Sequence, residues 1–330
     1  MNRRNTLKAL LAGLAASAIP FSVFSQDQRT QIILLGTQGG PNFNLKRGET
    51  ASLLLVDDVP YLVDCGYGTK RALLEAGISF LNLQNIFLTH LHDDHVADLP
   101  ALLSHQWTQG RVAPTKVYGP FGTESLVAAA LQFNQANTDI RFVDEKRTLH
   151  PTTVTSGEVI PATTTVHKAF EDDRVMVSTI ENTHFPEWAK AQMPHRALSY
   201  RFDSADRSVA FSGDTTYSKN LVTLASNADV LVCECIEMDT TRVWFDQATG
   251  GDDGETLYND AREGIWEHII ETHATTVDAG RMAAEAGVKT LVLNHVLPGS
   301  LMDIPDSVYI DGVRRHFDGE VIVGTDQMMI

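Results

Sequence analysis

Asn85–Pro100 reads NIFLTHLHDDHVADLP. Asn85–Thr89 is a short apolar, partly β-branched run, which predicts a buried strand. Directly after it, His90, His92, Asp94 and His95 fall within six residues. A helix cannot bring His90 and His92 together, because positions two apart face away from each other. A tight loop at the carboxyl edge of a strand can. Three imidazoles and one carboxylate suit Zn²⁺, and also iron or manganese. The alternative, surface histidines in a polar loop, does not explain why the cluster follows so closely on a buried strand.

Outward from this stretch, strand-like and helix-like runs alternate. Before it lie a strand at Gln31–Leu35, a hairpin made by Ser52–Val56 and Tyr61–Asp64, and a short helix at Thr69–Ala76. After it come a helix over Val96–Gln106, a strand at Lys116–Tyr118 and a helix over Thr123–Asn134. The second half repeats the grammar. Strands are expected at Val175–Glu181, Ala197–Phe202, Ser208–Ser212, Asp229–Cys233, Lys289–Asn294 and Glu320–Val323, with helices over Thr276–Ala286 and Asp306–Phe317. Two sheet-plus-helix units pack sheet against sheet with helices outside. No linker rich in Pro, Gly or Ser divides them, so the expectation is one α/β domain of four αββα layers over residues 26–330. Glu145–Lys168 is Thr-rich and reads as irregular chain or as short strands; Thr240–Thr256 reads as a long loop of the kind that forms a lid or a binding loop.

The composition is 43% apolar and 21% charged, ordinary for a globular enzyme, with a net charge of −16 and no dense Lys/Arg run. That balance argues against a polyanionic partner such as nucleic acid. Residues 1–25 read as a removable export signal of the twin-arginine kind. Arg3 and Arg4 precede an apolar run from Ala9 to Phe24, and Val23 and Ser25 offer a cleavage site near Ser25. The run is short for an uncleaved membrane anchor. A periplasmic or secreted protein without stable membrane insertion is expected, and this route carries proteins already folded. Cys65, Cys233 and Cys235 make an odd set, a poor disulfide framework, and read as buried small residues.

The H-x-H-x-D-H spacing of His90, His92, Asp94 and His95 resembles the metallo-β-lactamase superfamily, and more specifically its ribonuclease Z and arylsulfatase branch. Supporting stretches are LLGTQGGP (Leu34–Pro41), YLVDCGYGT (Tyr61–Thr69), VYGPFGT (Val117–Thr123), FSGDTT (Phe211–Thr216), ETHAT (Glu271–Thr275) and LVLNHV (Leu291–Val296). The resemblance implies two divalent metal ions, zinc first and iron or manganese as alternatives. His90, His92 and a later histidine would hold one ion; Asp94, His95 and His295 would hold the other; Asp214 would bridge them. His184 in ENTHFPE best matches the later histidine. His167 precedes its strand and so lies at the wrong end, and His195 is expected to border the pocket. Asp64 matches a carboxylate that orients the histidine loop. His273 and Asp94 are the expected catalytic residues, His273 as a proton donor or stabiliser of developing charge. His105, His150, His268 and His316 receive no role. Trp188, Tyr217, Trp244 and Phe245 are read either as a pocket wall favouring aryl or hydrophobic substrates or as ordinary core.

The function this implies is hydrolysis of a small-molecule ester, a phosphodiester or an aryl sulfate, by water activated between two cations. A lactonase or β-lactamase is the alternative. A tRNA 3′-processing endonuclease fits an exported acidic chain less well, and a non-catalytic binding protein does not need a complete ligand set. Similar proteins suggest a homodimer.

Overall fold

Along the strand β2 (Ala51–Val56), Leu53 and Leu55 enter one apolar cluster and Leu54 and Val56 enter another. Alternate residues of a strand point to opposite faces, so a strand buried on both sides must lie between two layers. The computed structural model describes residues 29–42, 44–250 and 261–330. The expected export segment 1–25 lies outside the described residues. No helix among those described is long and apolar enough to cross a membrane.

One sheet has the order β1 (Thr30–Gly36), β2, β3 (Val59–Val63), β4 (Asn85–Phe87), β5 (Thr115–Gly119) and β6 (Thr155–Val159). Its first three strands are antiparallel and the rest run parallel to β3. The other sheet runs β13 (Glu320–Val323), β12 (Thr290–Leu297), β11 (Val230–Ile236), β10 (Ser208–Phe211), β9 (Leu198–Asp203), β8 (Met176–Glu181) and β7 (His167–Glu171). Its strands β10 to β13 are parallel, and β7 to β10 alternate.

The helices are α1 (Thr69–Glu75), α2 (Leu99–Thr108), α3 (Thr123–Phe133), α4 (Gln135–Asp144), α5 (Glu187–Lys190), α6 (Lys219–Leu224), α7 (Met238–Thr249), α8 (Arg262–Thr272), α9 (Thr276–Ala286) and α10 (Asp306–Val313). Three clusters define the layers. Leu54, Tyr61, Phe87, Tyr200, Phe202 and Val292 meet between the sheets. Leu53, Leu62 and Ile86 face Leu73, Leu102 and Val127 of α1, α2 and α3. Leu231, Cys233 and Leu291 face Met282, Ala283 and Val313 of α9 and α10. The result is the expected αββα sandwich. Each fully buried Leu or Phe contributes about 1.5–3 kcal/mol of transfer free energy, so the central layer carries much of the fold. The three cysteines are free and buried, as expected.

One open reading is decided and two expectations change. Glu145–Lys168 supplies the edge strand β6 and the first residues of β7. Its Thr- and Gly-containing runs alternate too weakly to announce strands, and pairing with β5 and β8 decides them. Thr240–Thr256, expected as a lid loop, is helical as far as Thr249 in α7; residues 251–260 lie outside the described residues. The Glu237 side chain caps the Thr240 N–H at 2.8 Å, Arg242 pairs with Asp246 four residues on, and Phe245 is buried. These contacts override the poor helix propensity of a segment that begins with two threonines and carries the β-branched Val243 and Thr249. Finally, the strand expected at Lys289–Asn294 runs on to Leu297, so His295 lies inside it rather than just past its end. It sits within β12 as an extra residue, because Glu234 pairs with Asn294 and Cys235 with Val296. Its φ of +45° marks a β-bulge that re-aims the side chain.

Candidate metal centre and active site

The ligand candidates collect at one edge of the sandwich. His90 and His92 follow β4, Asp94 and His95 occupy a short 3₁₀ turn, His184 follows β8, Asp214 follows β10 and His295 lies on the β12 bulge. One backbone and one side-chain hydrogen bond join the two sheets here. The Leu198 N–H donates to Thr89 O at 2.8 Å, and the Tyr200 hydroxyl donates to Leu88 O at 2.9 Å.

His90, His92 and His184 form one group of donors whose nitrogens lie within 4.8 Å of one another. His90 Nε2 and His184 Nε2 stand 2.9 and 3.3 Å from His92 Nδ1. His184 Nδ1 lies 3.0 Å from Thr272 O. A carbonyl only accepts, so Nδ1 carries the proton and Nε2 is left as a free donor atom. Burial pushes His90 and His184 well below the ordinary histidine range and lowers His92 as well.

Asp94, His95, Asp214 and His295 form a second group, all buried. His295 Nε2 is 3.1 Å from Asp94 Oδ2 and 3.4 Å from Asp214 Oδ2; His95 Nε2 is 3.3 Å from Asp214 Oδ1. Asp214 Oδ2 also reaches to 3.9 Å from His90 Nε2, so this carboxylate stands between the two groups. Burial opposes ionisation of Asp94, but the His95 and His295 imidazoles outweigh it and lower its carboxyl to about 2. Burial would lower the imidazoles too. Asp214 and Asp94 instead raise His295 to about 9 and, with Asp64, hold His95 well above the usual range. Two buried carboxylates thus draw positive charge onto their neighbours.

A divalent cation fits both groups. The first offers three neutral imidazoles, and the second asks for cationic charge. His95 Nε2 and Asp214 Oδ1 are buried with no hydrogen-bond partner among the described residues. Buried polar atoms are rarely left orphaned, and these two face one another at ligand range.

The surroundings hold the ligands in place. Asp64 accepts from the Thr89 N–H at 2.8 Å and stands 2.9 Å from His95 Nδ1, contacts suited to orienting the histidine loop. The Gly39–Gly40 backbone lies so close to the cluster that a Cβ on Gly40 would come within 2.0 Å of Asp94 Oδ2. Gly213 takes φ +58° against Thr89, whose Cβ would be 2.7 Å from a Cβ there, and so lets Asp214 enter the site.

A sequence-family model described as anti-Pycsar protein Apyc1 matches residues 30–244, more than half of the chain. Ribonuclease Z of Mycobacterium sp. (strain KMS) is 30% identical over 270 residues, covering 81% of this chain and 84% of that relative. This chain belongs to the anti-Pycsar Apyc1 family and to the ribonuclease Z branch of the metallo-β-lactamase superfamily. Ribonuclease Z of Enterococcus faecalis is 27% identical over 298 residues, covering 81% and 86% of the two chains. Among solved structures, human short-form tRNase Z superposes with a TM-score of 0.62 at 21% identity, covering 91% of this chain and 98% of that one. The Bacillus subtilis metallo-β-lactamase fold protein YhfI gives 0.61 at 17% identity, with 91% and 98% covered. At such identities the structural likeness speaks for the fold, and a metal-dependent hydrolase family is the coarse functional statement the relatives support.

Within this branch member, two site residues escape sequence reasoning. Glu234 on β11 lies 3.0 Å from His273 Nδ1 through Oε2 and groups with Asp214, His273 and His295. Burial raises its carboxyl well above the usual range and lowers His273 to about 4. Its signal was a lone acid in the run VLVCECI, since a charged residue inside a wholly buried strand needs a partner. His268 on α8 lines the cavity beside His92, His184 and His273, at ring distances of 5.7, 5.6 and 5.3 Å. Burial, together with His273 and His92, lowers it to about 4. Nothing in its local sequence separates it from a helix-packing histidine.

His195 does not border the cavity as expected. It packs against Phe121, because the Phe121–Gly122 turn rather than the metal loop faces it. His167 bonds Thr163, away from the cluster. Of the four aromatics read as a pocket wall, only Trp244 lines the cavity. Trp188 is 64% exposed, Tyr217 donates to Glu285, and Phe245 is buried behind Trp244.

Proposed function

We propose that this chain is a dinuclear metal hydrolase, zinc-dependent in its native form, that cleaves a phosphodiester of a small molecule. The observation that carries the reading is the pair of donor groups joined by Asp214, opening on a cavity of about 170 Å³. His90, His92 and His184 would hold one ion, Asp94, His95 and His295 the other, with Asp214 shared. When bound, paired divalent cations supply Lewis-acid polarisation of the ester and an activated water. The protein's own part is orientation and proton handling. Asp64 fixes His95, Thr272 O fixes His184, and Glu234 fixes His273 through Nδ1. Burial favours a protonated Glu234 that donates to His273 Nδ1; the neutral His273 then carries its proton on Nε2 and can pass it to a leaving oxygen while Glu234 replaces it at Nδ1.

Phosphoryl rather than sulfuryl transfer is favoured by the names of relatives: ribonuclease Z in sequence, and a diphosphatase of the PhnP family among fold neighbours. A small substrate is favoured by the cavity's size, the net charge of −16 and the reading of residues 1–25 as an export signal. Ribonuclease action is the second reading, favoured by the relatives' shared name. The deciding experiment compares zinc-loaded mature protein on bis(p-nitrophenyl) phosphate, p-nitrophenyl sulfate, nitrocefin and a precursor tRNA. Chelator-sensitive turnover of the phosphodiester alone supports the proposal. Faster relative cleavage of the sulfate, of nitrocefin or of the RNA overturns it.

A further inference from the structure

The cavity has two kinds of wall. His92, Asp94, Asp214 and His273 form the metal-facing side, whereas α7 and α8 contribute Trp244, Ile265 and Ile269. An apolar surface of this kind is not needed to hold ions or move protons. It is also built rigidly. Arg262 donates to Asp246 at 2.9 Å and to Thr249 Oγ1 at 2.8 Å, tying α8 to α7. The Arg242 guanidinium sits 4.6 Å over the Trp266 ring, and Phe245 packs against Trp266 at 5.3 Å. Trp244 packs against a small apolar cluster of Ile236, Phe245, Ile269 and Leu297.

The two tryptophans of this helix pair are used differently. Trp266 carries a cation on its face and a ring at its side, and so serves the packing of α7 against α8. Trp244 is half-buried and lines the cavity. Among the described residues its one ring neighbour is Phe245, at 6.4 Å and 63°, and its indole N–H makes no hydrogen bond. A tryptophan held from behind and unstacked on its open side offers a preorganised flat surface. A cavity of about 150 Å³ is enough to take up a benzene ring, and this one is of that size, about 170 Å³.

We propose that Trp244 is a specificity-determining platform that stacks a planar aromatic group of the substrate, so that aryl or heteroaryl phosphoesters are preferred over alkyl ones. His268 extends the same wall toward the metal-ligating histidines, with its ring edge-on to His92 and His184. A ring on Trp244 and a phosphoryl group at the metal-facing side therefore share one continuous cavity. The inference rests on the phosphoester reading above.

The test uses two unreactive phosphonates of equal charge. Binding of phenylphosphonate and methylphosphonate to the zinc-loaded protein is measured by titration calorimetry. The parent should bind phenylphosphonate about tenfold more tightly, the scale of a single aromatic stack. Trp244→Ala should bring the ratio near one while leaving the Kd of methylphosphonate unchanged. Trp244→Phe should keep most of the preference. Trp244→Leu retains apolar backing without a wide ring, and it replaces the Ala variant if that one misfolds. A preference that survives in the Ala or Leu variant, with zinc content and far-UV circular dichroism as in the parent, overturns the proposal and leaves phosphodiester hydrolysis standing. Absence of phosphonate binding together with absence of phosphodiester turnover removes both readings.

Discussion

Asp214 links the two donor groups: it belongs to the one with Asp94, His95 and His295, and its Oδ2 reaches to 3.9 Å from His90 Nε2 of the other. Asp214→Asn removes the negative charge that raises His95 and His295. We expect the purified variant to hold less than half the zinc of the parent by elemental analysis and to lose essentially all turnover. His273→Ala tests a different link. If His273 handles the proton as proposed, with Glu234 on its Nδ1, kcat should fall by about 10²–10⁴-fold with zinc content unchanged. Loss of zinc in that variant would mean that His273 is a ligand. These two residues are also unequal in legibility. His273 stood out beside a predicted helix start, whereas its partner Glu234 sits 39 residues away in sequence and meets it only after β11 and the α8–α9 junction come together.

Elements position these residues by close backbone approach as well as by side-chain contact. The turn after β1 brings Gly40 against Asp94, so Gly40→Ala must push the carboxylate aside. Zinc affinity should fall by about 10–100-fold, the usual effect of disturbing the residues that orient a ligand, with far-UV circular dichroism unchanged. Competition against a chelating dye would show it. Gly264 provides the opposite case. It is exposed within α8, and a Cβ there meets nothing within 4 Å. Gly264→Ala should therefore stabilise the protein by about 0.5–1 kcal/mol through helix propensity, read as a higher denaturation midpoint with kinetics unaltered. Elements with strong period were legible: α9 runs from Thr276 to Ala286 with a Thr275–Asp278 capping box and Gly287 at its end. Elements held by neighbours were not, as the edge strands β6 and β7 and the threonine-rich α7 show.

For the molecule as a whole, the buried charges make stability depend on pH and on metal together. In chelated protein His295, raised to about 9, contributes stability that is complete below its unfolded value near 6.5 and is lost as pH rises through 9. Asp94, lowered to about 2, contributes above its unfolded value near 3.9 and loses that contribution as pH falls through 2. His273, lowered to about 4, is held neutral in the fold, so the unfolded chain gains protons first and stability declines from about 6.5 toward 4. Thermal unfolding of chelated protein should thus weaken on both sides of neutrality. A divalent cation that binds only the folded chain should raise Tm by mass action. Because a ligating His295 is already unprotonated, the loaded protein should lack the alkaline decline. Equal Tm profiles with and without chelator would contradict a metal-dependent site.

The sequence alone determined the layer order, because two successive sets of apolar strands and amphipathic helices bury their apolar faces only as sheet on sheet with helices outside. It also determined the His90–His95 ligand loop, whose donors are adjacent in the chain and need no distant partner to be recognised. Tertiary structure alone decided that Glu234 pairs with His273, that His268 faces the cavity, and that Trp244 rather than Trp188 or Tyr217 forms its wall. Those facts depend on how far each helix turns about its axis and on which strand edge meets which loop. Contacts between residues tens to hundreds of positions apart set both, and no local period encodes them.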